Sequence, residues 1–216
     1  MKVEILKSIT SANDAIAAQN KQVLDKDGVF TINLMSSPGS GKTSLILQTI
    51  NNLRGKLKLA VIEGDVASKI DAERISEEGV PAIQINVGGS CSLEAHMIGP
   101  ALDKLPLSDT DVLFIENVGN LICPAEFELG EHRKVVISSI PEGDDKPTKY
   151  PLMFTEADVV IINKVDLSPL LEFDIDGFKK VVEGLNPDVK IFEVSCKTGD
   201  GIDAWCSWIA GETKKS

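Results

Sequence analysis

Ser36-Ser37-Pro38-Gly39-Ser40-Gly41-Lys42-Thr43 is the stretch from which the rest of the chain can be read. It follows Phe30-Thr31-Ile32-Asn33-Leu34-Met35, a β-branched and apolar run that predicts a strand. It precedes Ser44-Leu45-Ile46-Leu47-Gln48-Thr49-Ile50, which predicts a helix. A strand, a glycine-rich turn ending in Gly-Lys-Thr and a helix make a phosphate-binding loop. Its backbone N–H groups curl around phosphate oxygens, and the positive end of the helix dipole faces the same anion. Pro38, Gly39, Ser40, Gly41, Lys42, Thr43 and Ser44 are the expected phosphate contacts. Lys42 would reach the β- and γ-phosphates, and the Thr43 hydroxyl would hold magnesium. Ser36 occupies the place of the usual first glycine.

Strand and helix signals alternate from there onward. Further strands are expected at 58–63, 82–87, 111–116, 134–138, 158–163 and 191–194. Helices are expected at about 67–78, from about Leu93, around Phe178–Leu185 and at Gly201–Ala210. Continuous apolar strands separated by helices imply an α/β fold: a P-loop NTPase with a mainly parallel twisted sheet of about seven strands, helices covering both faces. A helix over about 11–24 should pack on it, giving a single domain over 1–216, and 141–151 reads as one long loop. Ligands on such a sheet bind at the carboxyl ends of the strands. Asp65, Cys91, Glu116 and Asn163 all fall there.

The 216 residues are 43% apolar and carry a formal charge of −11. That charge argues against nucleic acid or a membrane surface as partner. The start of the chain lacks the apolar core of a signal peptide, so a cytoplasmic location is expected.

Asn163-Lys164-Val165-Asp166 lies about 120 residues beyond the phosphate loop. The Asp166 carboxylate matches the N1–H and exocyclic amine of guanine, a donor pair adenine does not offer, and Lys164 would lie along the base. Ser195-Cys196-Lys197 resembles the element of GTPases that touches guanine O6. GTP and GDP are therefore the expected ligands. Glu116, at a strand end before Asn117-Val118-Gly119, and Asp65 are expected to serve magnesium and the attacking water. With Lys42 they form the expected catalytic set, and Gly119 would give its N–H to the γ-phosphate. No glutamine adjoins Gly119 to position water, so slow hydrolysis is expected.

Cys91, His96 and Cys123 are candidate ligands for nickel or zinc. His96 follows Cys91 by five residues, so helical geometry would need Cys91 at the helix cap. Three ligands leave a closed zinc site one short, which a homodimer or water would supply. By spacing alone, two core cysteines are the better reading, and the place of Cys123 on the loop after Gly119 is what adds weight to a metal. Cys206 reads as core, Cys196 as space-filling and His132 as a surface residue.

Taken together, Asn33–Thr43, Glu63-Gly64-Asp65, Ile115–Pro124, Glu142–Pro151 and Asn163–Leu167 resemble the HypB family, nickel-incorporation GTPases of the SIMIBI class. The resemblance runs from about Ala12 to Trp208. It implies a GTP-hydrolysing metallochaperone that dimerises with nucleotide and serves [NiFe]-hydrogenase maturation, with a HypA-type metallochaperone and the hydrogenase large subunit as partners. Cys91, His96 and Cys123 match ligand positions of that family. Ser92 stands where the family has a histidine beside the cysteine. Two other readings compete: a G-protein switch that gates a protein partner and uses its cysteines structurally, and a urease accessory GTPase.

Overall fold

The computed structural model describes residues 9–65 and 70–214, and the side chains of 9–10, 65 and 70–72 lie outside the described set. Helix α1 spans Ile9–Asp27 and leads into β1, Phe30–Ser36. Then follow α2 (Lys42–Leu53), β2 (Leu59–Asp65), α3 (Ile70–Glu77), β3 (Ala82–Asn86), α4 (Ala95–Leu102) and β4 (Val112–Glu116). The second half holds β5 (Arg133–Ser139), α5 (Lys146–Lys149), α6 (Pro151–Thr155), β6 (Val159–Asn163), α7 (Ile175–Leu185), β7 (Lys190–Glu193) and α8 (Ile202–Glu212).

The seven strands form one sheet in the order β3-β2-β4-β1-β5-β6-β7, and every pairing is parallel. Parallel strands buried on both faces need apolar side chains on both faces, which is why β4 and β6 read as continuous apolar runs rather than alternating ones. Leu34, Leu45, Ile46, Phe114 and Trp205 build the core between the sheet and α2, α3 and α8. On the opposite face, Leu24, Ile62, Ile98 and Ile115 pack α1 and α4 against one half. Met35, Val136, Phe154 and Phe178 pack α6 and α7 against the other. No helix among the described residues is long and apolar enough to cross a membrane.

Two expectations fail locally. The stretch 141–151 is not a loop: a 3-10 turn at Ile140–Glu142 runs into α5 and α6. Pro147 and Pro151 stand in the first turns of these two helices, where a missing N–H costs nothing. The helix expected from about Leu93 begins at Ala95, capped by Glu94 in extended conformation. Glu94 is still extended at φ −126° and ψ 155°, and the Leu93 N–H ahead of it donates to the Asn117 side chain. Cys91 therefore sits in an irregular segment rather than at the helix cap, and His96 is only the second helical residue.

His132 is also not the surface residue expected. Its Nδ1 accepts from the Thr31 N–H at 3.0 Å, and its Nε2 lies 2.8 Å from Asp25. It thus joins β1 to the end of α1, and burial pulls its pKa below the usual 6.5.

Candidate nucleotide and metal site

β1 is the central strand and the point where the strand order reverses, so its carboxyl end opens into the crevice where such sheets bind ligands. The turn from β1 to α2 fills that crevice. Gly41 caps α2 at φ 106°, a conformation open to glycine, and a Cβ there would land on the Asn163 amide. Lys42 Nζ donates to Ser36 Oγ at 3.1 Å, folding the lysine back over the loop. Ser40 Oγ donates to the Ser37 carbonyl, closing the turn from inside.

Asn163, at the end of β6, holds three loops at once. Its Nδ2 donates to the Ser40 carbonyl at 2.8 Å, and its Oδ1 accepts from Lys164 N and Cys196 N. Lys164 takes a left-handed conformation at φ 62°, and its Nζ reaches the Gly39 carbonyl at 2.7 Å. Ser195 Oγ donates to Asp166 Oδ1 at 2.6 Å, so the carboxylate is oriented before any base arrives. Gly41, Ser44, Asn163, Lys164, Asp166, Leu167, Cys196 and Lys197 line a cavity of about 310 Å³ beside the phosphate loop. Burial raises the Cys196 thiol to about 11, so it stays neutral against a ligand, and the Cys206 thiol rises to about 11 in the core. A larger hollow of about 380 Å³ lies at the amino ends of the strands, around Arg54, Lys58, Glu78 and Asp109. Its charges are already paired with one another, Arg54 with Glu78 and Lys58 with Asp109.

On the other side of the phosphate loop, Thr43 Oγ1 donates to Glu116 Oε1 at 2.9 Å. Glu63 is the register partner of Glu116 across β2 and β4, and the two carboxylates share a sheet face at 3% and 5% exposure. A hydroxyl beside two buried carboxylates is a donor set suited to a hard, oxygen-ligated divalent cation, and magnesium fits it. The sequence reading named Glu116 and missed Glu63. The register supplies what was missing, because it puts Glu63 directly opposite. Asp65 closes β2 opposite Asn86, and its side chain lies outside the described residues. Gln48 was also missed. Its amide donates to the Cys196 carbonyl at 2.8 Å and ties α2 to the base loop.

Gly119 packs on the phosphate loop so closely that a Cβ would stand 3.0 Å from Pro38. Four residues on, Cys123 meets Cys91: the two sulfurs are in bonding contact as a disulfide, with Cα atoms 6.1 Å apart. Two separate thiols were expected, and the structure pairs them. His96 does not complete the set. It is exposed in the first turn of α4 with Nδ1 3.4 Å from Glu94. Among the described residues, no three His, Cys, Asp or Glu side chains are grouped to hold a metal ion. Ser92, at the lost histidine position, is buried.

This architecture defines a P-loop nucleotide-binding protein, and residues 30–193 match the model of the CobW/HypB/UreG nucleotide-binding domain. The hydrogenase maturation factor HypB of Rhizobium leguminosarum is 49% identical over 96% of this chain and 69% of its own length. The probable HypB of Methanocaldococcus jannaschii is 43% identical over 99% of this chain and 96% of its own. A crystal structure of HypB from Helicobacter pylori in complex with nickel superposes with a TM-score of 0.91 at 39% identity, over 94% of this chain and 96% of that one. The HypB structure from Archaeoglobus fulgidus gives 0.89 at 42% identity, over 94% and 99%. The chain belongs to the HypB hydrogenase maturation factors of the CobW/HypB/UreG family.

Proposed function

We propose that this chain is a GTP-hydrolysing metallochaperone in which nucleotide state governs a cysteine-bound metal, nickel or zinc. Nickel would be its cargo for [NiFe]-hydrogenase maturation, passed with a HypA-type partner to the hydrogenase large subunit. The observation that carries the reading is one continuous path. Gly119 lies against Pro38 of the phosphate loop, and Cys123, four residues later, is joined to Cys91. A segment that senses the γ-phosphate would thereby carry a metal ligand.

Guanine would be chosen by Asp166, held in place by Ser195, with Lys164 alongside and Lys197 at the cavity wall. Lys42 and the N-terminus of α2 would stabilise the phosphates. Thr43 and Glu116, with Glu63 adjacent and Asp65 at the end of β2, would hold magnesium, which would neutralise charge on the phosphate oxygens. Asp65 or Glu116 would orient the attacking water.

Once reduced, Cys91 and Cys123 offer two thiolates to one ion. Cys91 is exposed, as is Ile122 next to Cys123, so a second copy of the chain would meet this site and double its ligands across a two-fold axis. His96 is the third family ligand position. The joined sulfurs and Ser92 favour a second reading, in which the cysteines are structural and the nucleotide gates only a protein partner. Nickel and zinc titrations of the reduced chain and of a Cys91→Ala, Cys123→Ala variant separate the two. Loss of at least ten-fold in affinity is expected, and unchanged affinity would leave the partner switch as the better reading.

A further inference from the structure

The segment that carries Cys91 is held almost wholly by asparagines. Ala95 N–H donates to Asn13 Oδ1 at 2.8 Å, and the Ala95 carbonyl accepts from Asn20 Nδ2 at 2.9 Å. The Cys91 carbonyl accepts from Asn120 Nδ2 at 3.3 Å, and Leu93 N–H donates to Asn117 Oδ1 at 3.0 Å. Three of these bonds only fix the segment in place or reach it from the exposed loop. The fourth differs, because Asn117 Oδ1 also accepts from Val118 N–H at 2.9 Å. One amide oxygen, on a residue 1% exposed, thus serves both the cysteine segment and the backbone step before Gly119.

The orientation of that amide is fixed from behind. Asn117 Nδ2 donates to Asn33 Oδ1 at 3.2 Å, and Asn33 Nδ2 donates to Glu131 Oε1 at 2.9 Å. Glu131 Oε2 accepts from Leu129 N–H at 2.7 Å. A carbonyl oxygen has two acceptor directions, and here both are spent. Because Asn33 keeps the amide from turning freely, a shift of Val118–Gly119 about the γ-phosphate pulls on the oxygen that also holds Leu93. A buried N–H left without its acceptor is costly, so Leu93, and Cys91 two residues before it, must answer.

We infer that Asn117 is the positioning residue through which the Val118–Gly119 switch and the Cys91 segment sense one another, a coupling separate from the Cys91–Cys123 contact itself. This rests on the metallochaperone reading. Val118 follows Asn117 directly in the chain, so the local bond alone would do for a structural turn. The long-range bond to Leu93 is the one that a coupling requires.

The test uses the full, reduced chain and the metals themselves. Nickel and zinc affinities are titrated with GDP and with a non-hydrolysable GTP analogue, and GDP affinity is measured alongside. In Asn117→Ala, the ratio of metal affinities between the two nucleotide states should fall to within about two-fold of unity, while GDP affinity moves by less than about three-fold. Asn117→Ser is the milder companion should the alanine variant not fold, since its short hydroxyl retains a local acceptor for Val118 but does not reach Leu93. The same collapse is expected. A ratio equal to that of the unaltered chain in either folded variant would overturn the inference and leave the metallochaperone reading standing. An unaltered chain with no difference between nucleotide states would overturn both.

Discussion

At the scale of single residues, the proposed choice of guanine would rest on Asp166, and its setting sharpens what the residue type implies. A carboxylate already fixed by a 2.6 Å bond from Ser195 loses little freedom when guanine arrives. Replacing it by asparagine keeps the shape but turns one acceptor into a donor, which faces the guanine amine badly and the xanthine carbonyl well. Asp166→Asn should weaken GDP binding roughly 10–100-fold, the worth of about 1–3 kcal/mol for unpaired buried groups, and bring xanthine nucleotides level or ahead. Competition binding with GDP and XDP checks this, and undiminished GDP binding would refute the pocket. That Asp166 and Asn163 meet beside the phosphate loop was legible in the sequence, because their spacing behind an apolar strand puts both at its carboxyl end. Asn117 and Glu131 were not, since asparagines and a glutamate between apolar stretches carry no signal until partners from 24 to 98 residues away are in place.

At the scale of elements, the phosphate loop and its flanking strand and helix could be read directly, because local propensity and motif agree there. β1 and α2 extend the expected 30–35 and 44–50 by only a residue or a turn. The start of α4 lies two residues beyond the expected Leu93, because the backbone at Glu94 is still extended. The 141–151 stretch was misread for another reason. Prolines in a polar stretch suit a loop, and they equally suit the first turn of short helices. A helix over 11–24 was legible, but its docking face was not: Val23 is exposed, while Asn13, Ala17, Asn20 and Leu24 are the buried positions. His132 accepts from Thr31 only when Nδ1 is unprotonated, and burial lowers its pKa below 6.5. The unfolded chain therefore takes up the proton first, and stability from this histidine should be lost as pH falls below about 6.5. Glu131 next to it is shifted up by burial, and its contribution runs the opposite way, lost as pH rises through its folded pKa. Thermal melts of the unaltered chain and His132→Asn from pH 7.5 to 5 isolate the histidine. The difference between the two should shrink with acidity, and a constant difference would show that His132 does not titrate on unfolding.

At the scale of the whole molecule, the seven-stranded sheet places both proposed sites at the carboxyl ends of its strands. Nucleotide loops line the carboxyl ends of β1, β6 and β7, and the cysteine pair stands beyond β3 and β4 on the same side of the sheet. That layout leaves the paired cysteines, exposed Ile122 and the phosphate loop open together to a second copy. Size-exclusion chromatography with light scattering should give a monomer with GDP and a dimer with a non-hydrolysable GTP analogue. An unchanged mass would remove the shared metal site from the account. Transmission of nucleotide state to the metal is measured by titrating nickel and zinc into the reduced chain in those same two nucleotide states. The expected result is a difference in affinity or stoichiometry of at least five-fold between them, abolished when Cys91 and Cys123 are oxidised to the disulfide. Equal metal binding in both states would contradict it.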